Sequence, residues 1–524
     1  MITSKVQIID YFKSGLKETK DFRIGIEHEK FLFDSKNNKR INYSKIKQMF
    51  TSLLEFGWNP ILEKNNIIGL NKGGKNITLE PGNQIELSGD KLNHIHEACA
   101  ESQDYLFELR QVTQKLDINI VSAGFDPISK LNEIPNNPKQ RYKLMTKDMP
   151  LGGELSLDMM YRTCGTQLNI DYNSEEDFIK KFKIVNSIVP ISIALFANSA
   201  IVEKKKSNYL SYRSKVWQST SRGGLPKIFF EELDFEKYAD FIINFPILFI
   251  QDEDTYISGR NYTFKNFMEG KINEIGNRLP TENDLTTHLS TIFTENRLKK
   301  YIEIRSMDTC GWDCLCSGPA FYIGMLYANL DEVYEVISKW DKNKIINAYL
   351  EAPQKGFNTQ LMGKDLLYWA GTLLDLSKKG LERRDILNKN GKNETLFLSH
   401  LQKLIDIEMK KIVITGGLGY IGTELCKIYS GVSWNHKITV IDNRFISERV
   451  NQLRKWNIDF VHGDILDKDL IRNHCKDVDI IHHLAGITEV PRVKQESNDT
   501  IDKEIISVGE KGTQNVLEAM NDKC

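Results

Sequence analysis

The sequence predicts an α+β domain over residues 1–408 followed by a smaller α/β module over residues 409–524. Three observations predict it. The chain has 524 residues, more than one hydrophobic core organises. Up to about residue 408, strand-like and helix-like segments follow one another without clean alternation, the pattern of a mixed sheet with helices packed on it. At Met409 the character changes abruptly, as a short apolar run enters a glycine-rich turn.

Composition excludes several classes. A hydrophobic fraction of 40%, a charged fraction of 27% and a formal net charge of -1 describe a globular protein with no global field for nucleic acid or an acidic membrane surface. The first twenty residues are interrupted by lysines and acids, with no signal-peptide core, so a cytoplasmic protein is expected. The stretch from Ile184 to Val202 carries no charge but contains Asn186, Pro190 and Asn198, and reads as a buried helix rather than a membrane span. The eight cysteines include no C-x-x-C pair. Cys310, Cys314 and Cys316 form the one cluster, without the partners a zinc site needs, and reduced thiols are expected. Lys378 to Asn393 reads as a solvated loop with helix ends, and Thr395 to Glu408 as a helix.

Four segments carry the first domain's chemistry, each a strand with polar residues on one face, because strand side chains alternate. In Ile24-Gly-Ile-Glu-His-Glu-Lys, Glu27 and Glu29 point the same way. In Ile77-Thr-Leu-Glu-Pro-Gly-Asn-Gln-Ile-Glu, the Pro81-Gly82-Asn83 turn folds two strands into a hairpin carrying Glu80 and Glu86. Gly165-Thr-Gln-Leu-Asn-Ile-Asp puts Gln167, Asn169 and Asp171 on one side. In Lys300-Tyr-Ile-Glu-Ile-Arg, Tyr301, Glu303 and Arg305 share a face. Any one segment reads equally well as the wet face of a half-exposed sheet. Five carboxylates on one concave face repel one another without cations, and hard oxygen ligands suit magnesium or manganese shared with phosphates. No P-loop follows Gly74-Lys75 or Gly270-Lys271, so a nucleotide here is held through metals and arginines.

These segments, with LDMMYRTCGTQLNID, ALFANS, LSYRSKVW and YIEIRSMD in the same order, resemble the plant and proteobacterial type of glutamate–cysteine ligase from about residue 20 to residue 400. The resemblance implies a glutamine-synthetase-like catalytic sheet, with ATP, L-glutamate and L-cysteine as substrates, magnesium or manganese as cofactor, and no nucleic-acid or membrane partner. It also implies the first step of glutathione synthesis, through a γ-glutamyl phosphate. Carried over by motif, Glu27, Glu29, Glu80, Glu86, Gln167 and Glu303 are metal ligands. Arg213 holds the glutamate α-carboxylate, where a planar fork suits a bidentate partner, and Arg162 and Arg305 stand near phosphate or substrate. Two departures stand out. The loop after Trp217 is short, with Ser221 where an aspartate is common. Residues 255–281 contain no cysteine, so the plant redox pair expected there is missing. A ligase for another amine acceptor is the nearest alternative.

Behind Met409, Gly416, Gly419 and Gly422 follow a strand and open a helix, and Asp442 ends the next strand. This is the context of a dinucleotide loop, with amides for a pyrophosphate and an acid for ribose. His462-Gly-Asp464 and His483-Leu-Ala-Gly486 resemble the NAD-dependent epimerase and dehydratase family, in which Asp464 matches an adenine contact. No Tyr-x-x-x-Lys segment follows, and Gly509 stands where asparagine is common. A partial Rossmann module is expected, without epimerase chemistry and binding NAD poorly, if at all. An NAD-binding, epimerase-like protein with residues 1–408 as an accessory is the alternative from a different class.

Overall fold

The computed structural model describes every residue except 232, 254, 409, 433–435, 488–502, 504 and 521–524. The expected boundary at Met409 and the terminal Cys524 lie outside the described residues. The chain divides into two compact units, Met1–Met362 with Thr372–Leu401, and Gly363–Gly371 with Gln402–Cys524.

The first unit is built on one sheet of nine strands, β1 (Ile24–Asp34), β2 (Asn59–Glu63), β3 (Asn66–Lys72), β4 (Lys75–Leu79), β5 (Ile85–Ser88), β6 (Ile118–Val121), β7 (Gly165–Ile170), β8 (Asn296–Leu298) and β9 (Ile302–Asp308). Their order is β8-β9-β7-β1-β5-β4-β3-β2, and β6 pairs with the far half of β1. A mixed sheet was expected, but every one of these pairings is antiparallel. Four of them, β2–β3, β3–β4, β4–β5 and β8–β9, are hairpins between consecutive strands, which need only short turns, whereas parallel neighbours need long crossovers.

Strand β1 shows why this sheet has two different faces. Ile24, Ile26, His28 and Lys30 are buried on one side, while Gly25, Glu27 and Glu29 alternate to the other. The buried face packs under helix α1 (Ile95–Lys115), whose N-terminus is capped by the His94 ring accepting from the Glu97 amide. Tyr105 and Leu109 of α1 join Leu70, Ile77, Leu79, Ile85 and Leu87 in one core. Each such side chain stabilises the fold by about 1.5–3 kcal/mol. The opposite face is edged by α2 (Gln140–Asp148) and α3 (Ser156–Arg162).

The uncharged stretch around Pro190 forms two helices, α4 (Glu175–Ser187) and α5 (Val189–Phe196), with Pro190 in the first turn of α5, where its missing N–H costs no helical bond. Every residue of α5 is buried. Among the described residues, no helix is long and apolar enough to cross a membrane. The short helix α6 (Tyr212–Gln218) begins at Ser211, which accepts from the Ser214 amide.

Two local expectations are corrected. Lys378 to Arg384 is helical, because the helix Leu366–Arg384 runs on through the charged residues. Cys310 and Cys314 were expected as reduced thiols, but they form a disulfide. Gly311 and the single turn Trp312–Leu315 bring their Cα atoms to 5.8 Å, within the range a bridge requires.

The second unit contains a parallel sheet of β10 (Lys411–Thr415), β11 (Lys437–Asp442), β12 (Asp459–His462) and β13 (Ile480–His483), ordered β12-β11-β10-β13. Helix α7 (Tyr420–Val432) follows the glycine loop. Gly416 has φ of 68°, and a Cβ there would meet the Ala485 backbone. This order is that of one half of a doubly wound sheet, as the glycine spacing predicts.

The Pro81-Gly82-Asn83 turn sets the positions of Glu80 and Glu86. Asn83 sits in the left-handed region at φ 62° and donates to the Ile41 carbonyl. Valine at this position pays the left-handed strain and loses the bond. Asn83→Val is expected to destabilise the first unit by about 2 kcal/mol, measured by urea denaturation, whereas Asn83→Gly costs less than about half of that.

Candidate active site

The polar face of the sheet forms one wall of a cavity of about 230 Å3. Register brings its carboxylates together. Glu29 on β1 lies opposite Glu86 on β5, and Glu27 lies opposite Gln167 on β7. Glu80 stands at the hairpin turn, two strands away. Glu27, Glu29, Glu80, Glu86 and Gln167 all line the cavity.

These four glutamates have few compensating partners. Glu29 accepts from the Gly165 amide at 2.5 Å, Glu27 from the Asn169 side chain at 2.7 Å, and Glu86 from the Thr78 hydroxyl at 2.8 Å. Burial, then the charge of Glu80, raises the Glu29 carboxyl to about 7 against the pull of Arg213. Burial and the charges of Glu80, Glu27 and Glu29 push Glu86 well above the ordinary range. Such a cluster is held in place by the sheet rather than by its own interactions. Among the described residues, no three of these groups converge closely enough to enclose an ion as they stand, yet hard oxygen donors facing one space are the donor set that magnesium or manganese takes.

The same cavity also holds positive charge. Arg141, Arg213, Arg297 and Arg305 line it. The guanidinium carbons of Arg213 and Arg305 each lie 5.2 Å from the centroid of the Trp217 ring, a cation–π arrangement that orients both. Arg213 donates to the Arg305 carbonyl at 2.8 Å, and its nearest acid, Asp308, is 3.9 Å away. Asp308 is occupied elsewhere, accepting from Ser199, Ser211 and the Asn198 amide. The Nε of Arg213 and the Nε of Arg305 are buried without a partner.

Glu303, expected as a metal ligand, lies outside the cavity lining. It is fully buried and does not line the cavity. Arg297 on the neighbouring β8 binds both of its oxygens at 2.7 Å, Lys299 one at 2.8 Å, and Arg305 one at 2.5 Å. Burial alone would raise its carboxyl, but Arg297, Lys299 and Arg305 hold it well below the ordinary range. Arg305 also donates to Gln167 at 2.5 Å. Two of the six residues expected as metal ligands are thus tied to guanidinium groups. Arg162 is also placed elsewhere. It pairs with Asp158 at 2.9 Å and Glu203 at 3.3 Å, lies over the Phe125 ring, and does not line the cavity.

Arg141 and Arg297 escaped sequence reading. Arg297 carried a usable signal, since a hairpin turning at Lys299–Lys300 sets it directly opposite Glu303. Arg141 carried none, because it comes from a helix with no acid or glycine pattern around it.

In the second unit, Gly416, Gly419 and Gly422 wrap the start of α7, and a Cβ on Gly422 would meet Gly417. Asp442 accepts from the Leu418 amide at 3.0 Å and from the Arg444 guanidinium at 3.1 and 3.2 Å. Asp464 accepts from Asn443 and the Leu466 amide, each at 2.9 Å.

With this geometry in view, comparison with known proteins is decisive for the first unit. Residues 23–407 match the model of glutamate-cysteine ligase family 2. Glutamate–cysteine ligase B, chloroplastic, of Oryza sativa subsp. japonica is 39% identical over 408 residues, covering 77% of this chain and 81% of that one. The chain belongs to the glutamate–cysteine ligase family. It is a ligase, and its activity is the formation of γ-glutamylcysteine in glutathione biosynthesis. The chloroplastic enzyme of Arabidopsis thaliana is 37% identical, covering 77% of each chain. These relatives are designated chloroplastic, and that finding overturns the expectation of a cytoplasmic protein. Residues 413–523 match the model of the 3-beta hydroxysteroid dehydrogenase/isomerase family. A UDP-glucose-4-epimerase from Stenotrophomonas maltophila is 21% identical, covering 22% of this chain and 34% of that one at a TM-score of 0.19.

Within the ligase unit, Ser221 donates its amide to the Gly152 carbonyl, so the shortened loop after Trp217 closes on the segment between α2 and α3. The acidic wall gives a pH prediction. A carboxyl raised by folding stabilises the fold while protonated. That stabilisation is complete below the unfolded value near 4.5 and is lost as pH rises through about 7 for Glu29. Without divalent cations, the melting temperature of the first unit is expected to fall between pH 5 and pH 8. In Glu29→Gln the fall should be visibly shallower, and adding magnesium at pH 8 should restore wild-type stability more than it restores the variant's. Thermal melts in chelator and in magnesium check this.

Proposed function

We propose that the cavity binds ATP, L-glutamate and L-cysteine together, with magnesium or manganese held by Glu27, Glu29, Glu80 and Glu86. The observation that carries this reading is the convergence of four undercompensated carboxylates and four guanidinium groups on one cavity. A nucleoside triphosphate bridged to metals is the ligand whose charge pattern complements both walls. Metal held on the acidic wall would neutralise the transferring phosphoryl group.

The reaction balances without a nucleophilic side chain. An oxygen of the glutamate γ-carboxylate attacks the γ-phosphorus of ATP, the bond to the β-phosphate oxygen breaks, and ADP leaves. The amine nitrogen of cysteine then attacks the carbonyl carbon of the acyl phosphate. The carbon–oxygen bond to phosphate breaks, inorganic phosphate leaves, and the nitrogen gives up a proton as the amide forms. The chain's own residues bind and orient. Arg213, with a buried unpartnered Nε and no close carboxylate, takes the glutamate α-carboxylate. Arg305 and Arg297, fixed by Glu303, offer N–H donors to phosphoryl oxygens. The antiparallel sheet with its acids on one face supports the glutamine-synthetase-like description of the fold.

ADP release is expected to require glutamate, cysteine and a divalent cation together. Release that ignores cysteine would sink the assignment of the acceptor, and release undiminished by chelator would sink the metal wall. Arg213→Gln is expected to raise KM for glutamate at least about 100-fold, the scale of an unpaired buried charge, with KM for ATP changed far less.

For the second unit we propose weak dinucleotide binding at most. Both Asp442 oxygens, which would receive ribose hydroxyls, are engaged by Leu418 and Arg444. Calorimetric titration with NAD is expected to show no site tighter than the millimolar range, and a micromolar site would overturn this.

A further inference from the structure

We propose that Asn137 and Lys139, in the segment that leads into α2, are positioning residues for Glu80, gripping the backbone of its turn so that its carboxylate meets the other acids around a divalent cation. This rests on the metal reading above and deepens it.

Glu80 is the acid that the sheet holds least. Glu27, Glu29 and Glu86 lie inside β1 and β5, where ladder pairs fix the backbone. Strand β4 ends at Leu79, so Glu80 belongs to the turn, and its carboxylate makes no hydrogen bond or ion pair among the described residues. A side chain in that position follows every movement of the turn. What the ladder does for the other three acids, side chains from elsewhere do here. The Leu79 carbonyl accepts from Lys139 Nζ at 2.8 Å and from the Tyr142 hydroxyl at 2.9 Å. Asn137 Nδ2 donates to the Glu80 carbonyl at 2.8 Å and to the Pro81 carbonyl at 3.3 Å. Arg40 donates to the Gly82 carbonyl. Each of the consecutive carbonyls from Leu79 to Gly82 is therefore taken by a side chain remote in sequence.

The gripping segment is itself anchored. Asn137 Oδ1 accepts from the Lys139 amide at 3.1 Å, and the Gln140 amide donates to Glu63 on β2 at 3.0 Å. The choice of a lysine at 139 points the same way. Lys139 is buried and forms no ion pair among the described residues, and its Nζ lies 5.4 Å from the centroid of the Tyr142 ring. Burial, with the charge of Arg141 beside it, holds its amine down at about 8. A buried ammonium without an acid is costly, and a methionine would fill the same space without that cost. What a methionine lacks is the donor to Leu79. Asn137 is buried too, and its amide group serves the two carbonyls on either side of the Glu80–Pro81 bond. Contacts that hold a ligand from behind in this way set where it stands relative to the cation.

The test reads metal binding itself. Manganese(II) bound by the full chain is measured by electron paramagnetic resonance without nucleotide. Asn137→Ala, which changes no charge, is expected to weaken manganese affinity about tenfold or more, the scale of a contact behind a ligand. Lys139→Met removes a positive charge from beside Glu80, which by electrostatics alone would tighten cation binding. The grip on Leu79 predicts a weakening instead, of about threefold or more, since Tyr142 still holds that carbonyl. Glu80→Gln should itself bind manganese at least about tenfold more weakly than wild type. Adding Asn137→Ala to Glu80→Gln should then weaken binding by less than about twofold further, because both changes act through one carboxylate. Affinity that is unchanged in Asn137→Ala, unchanged or tighter in Lys139→Met, or lowered by Asn137→Ala as much without Glu80 as with it, overturns the proposal. If Asn137→Ala does not fold, as judged by circular dichroism, Lys139→Met and its combination with Glu80→Gln decide by the same comparisons. Failure of the metal reading looks different: the wild type then binds no manganese, or Glu80→Gln binds it as tightly as the wild type, and the positioning role falls with it.

Discussion

Four glutamates are carried on adjacent antiparallel strands so that they face one cavity, and the rest of the catalytic unit is arranged around the resulting charge. Carboxylates this close favour protonation or a cation, as the raised Glu29 and Glu86 show. A flexible loop would relieve the repulsion by splaying. The sheet does not allow this, because the register Glu29 to Glu86 and Glu27 to Gln167 is fixed by backbone hydrogen bonds and by the apolar residues buried on the other face. A slip of one residue would bury the acids and expose Ile24 and Ile26. The core beneath α1 is therefore what keeps the acidic wall assembled.

The guanidinium groups of the cavity pose the complementary problem. Four guanidinium groups near one another also repel, and each is steadied by a neighbour the sequence does not advertise. Glu303 binds Arg297 through both oxygens and Arg305 through one, while Trp217 orients Arg305 and Arg213. Asp308 organises the backbone and hydroxyls around Arg213 without pairing closely to it. Buried ion pairs of this kind add little net stability. Their use here is geometric, fixing where positive charge stands while leaving the Nε of Arg213 and of Arg305 open.

The acidic wall was legible in the sequence because strands alternate. Glu27 and Glu29 had to share a face, and the Pro81-Gly82-Asn83 turn had to bring Glu80 and Glu86 back beside them. The same reasoning does not reach what surrounds Glu303. Alternation put it on the polar face correctly, but the face is filled at that edge by Arg297, Lys299 and Arg305, and burial by neighbours is not a property of one strand. Arg162 lies outside the cavity lining for a related reason. Its helix supplies Asp158 one turn earlier as a partner, an i, i+4 pairing that competes with any outward role. The glycine loop of the second unit was readable in full, since its requirement is for backbone geometry at Gly416. What Asp442 does was not, because Arg444 reaches back to it through a side chain. The disulfide was missed because a spacing of four residues bridges only when the intervening turn closes, as it does over Trp312–Leu315.

The residues that line the cavity also differ in what carries them. The acids sit on strands whose positions are bound to the register of a nine-stranded sheet, so no one of them can shift without disturbing the others. Arg141, Met145, Met159 and Met160 sit on two short helices joined by the segment that meets Ser221. A side chain on such a helix can change without altering a single strand pairing. The cavity therefore combines strand side chains locked by register with helix side chains that no strand pairing constrains.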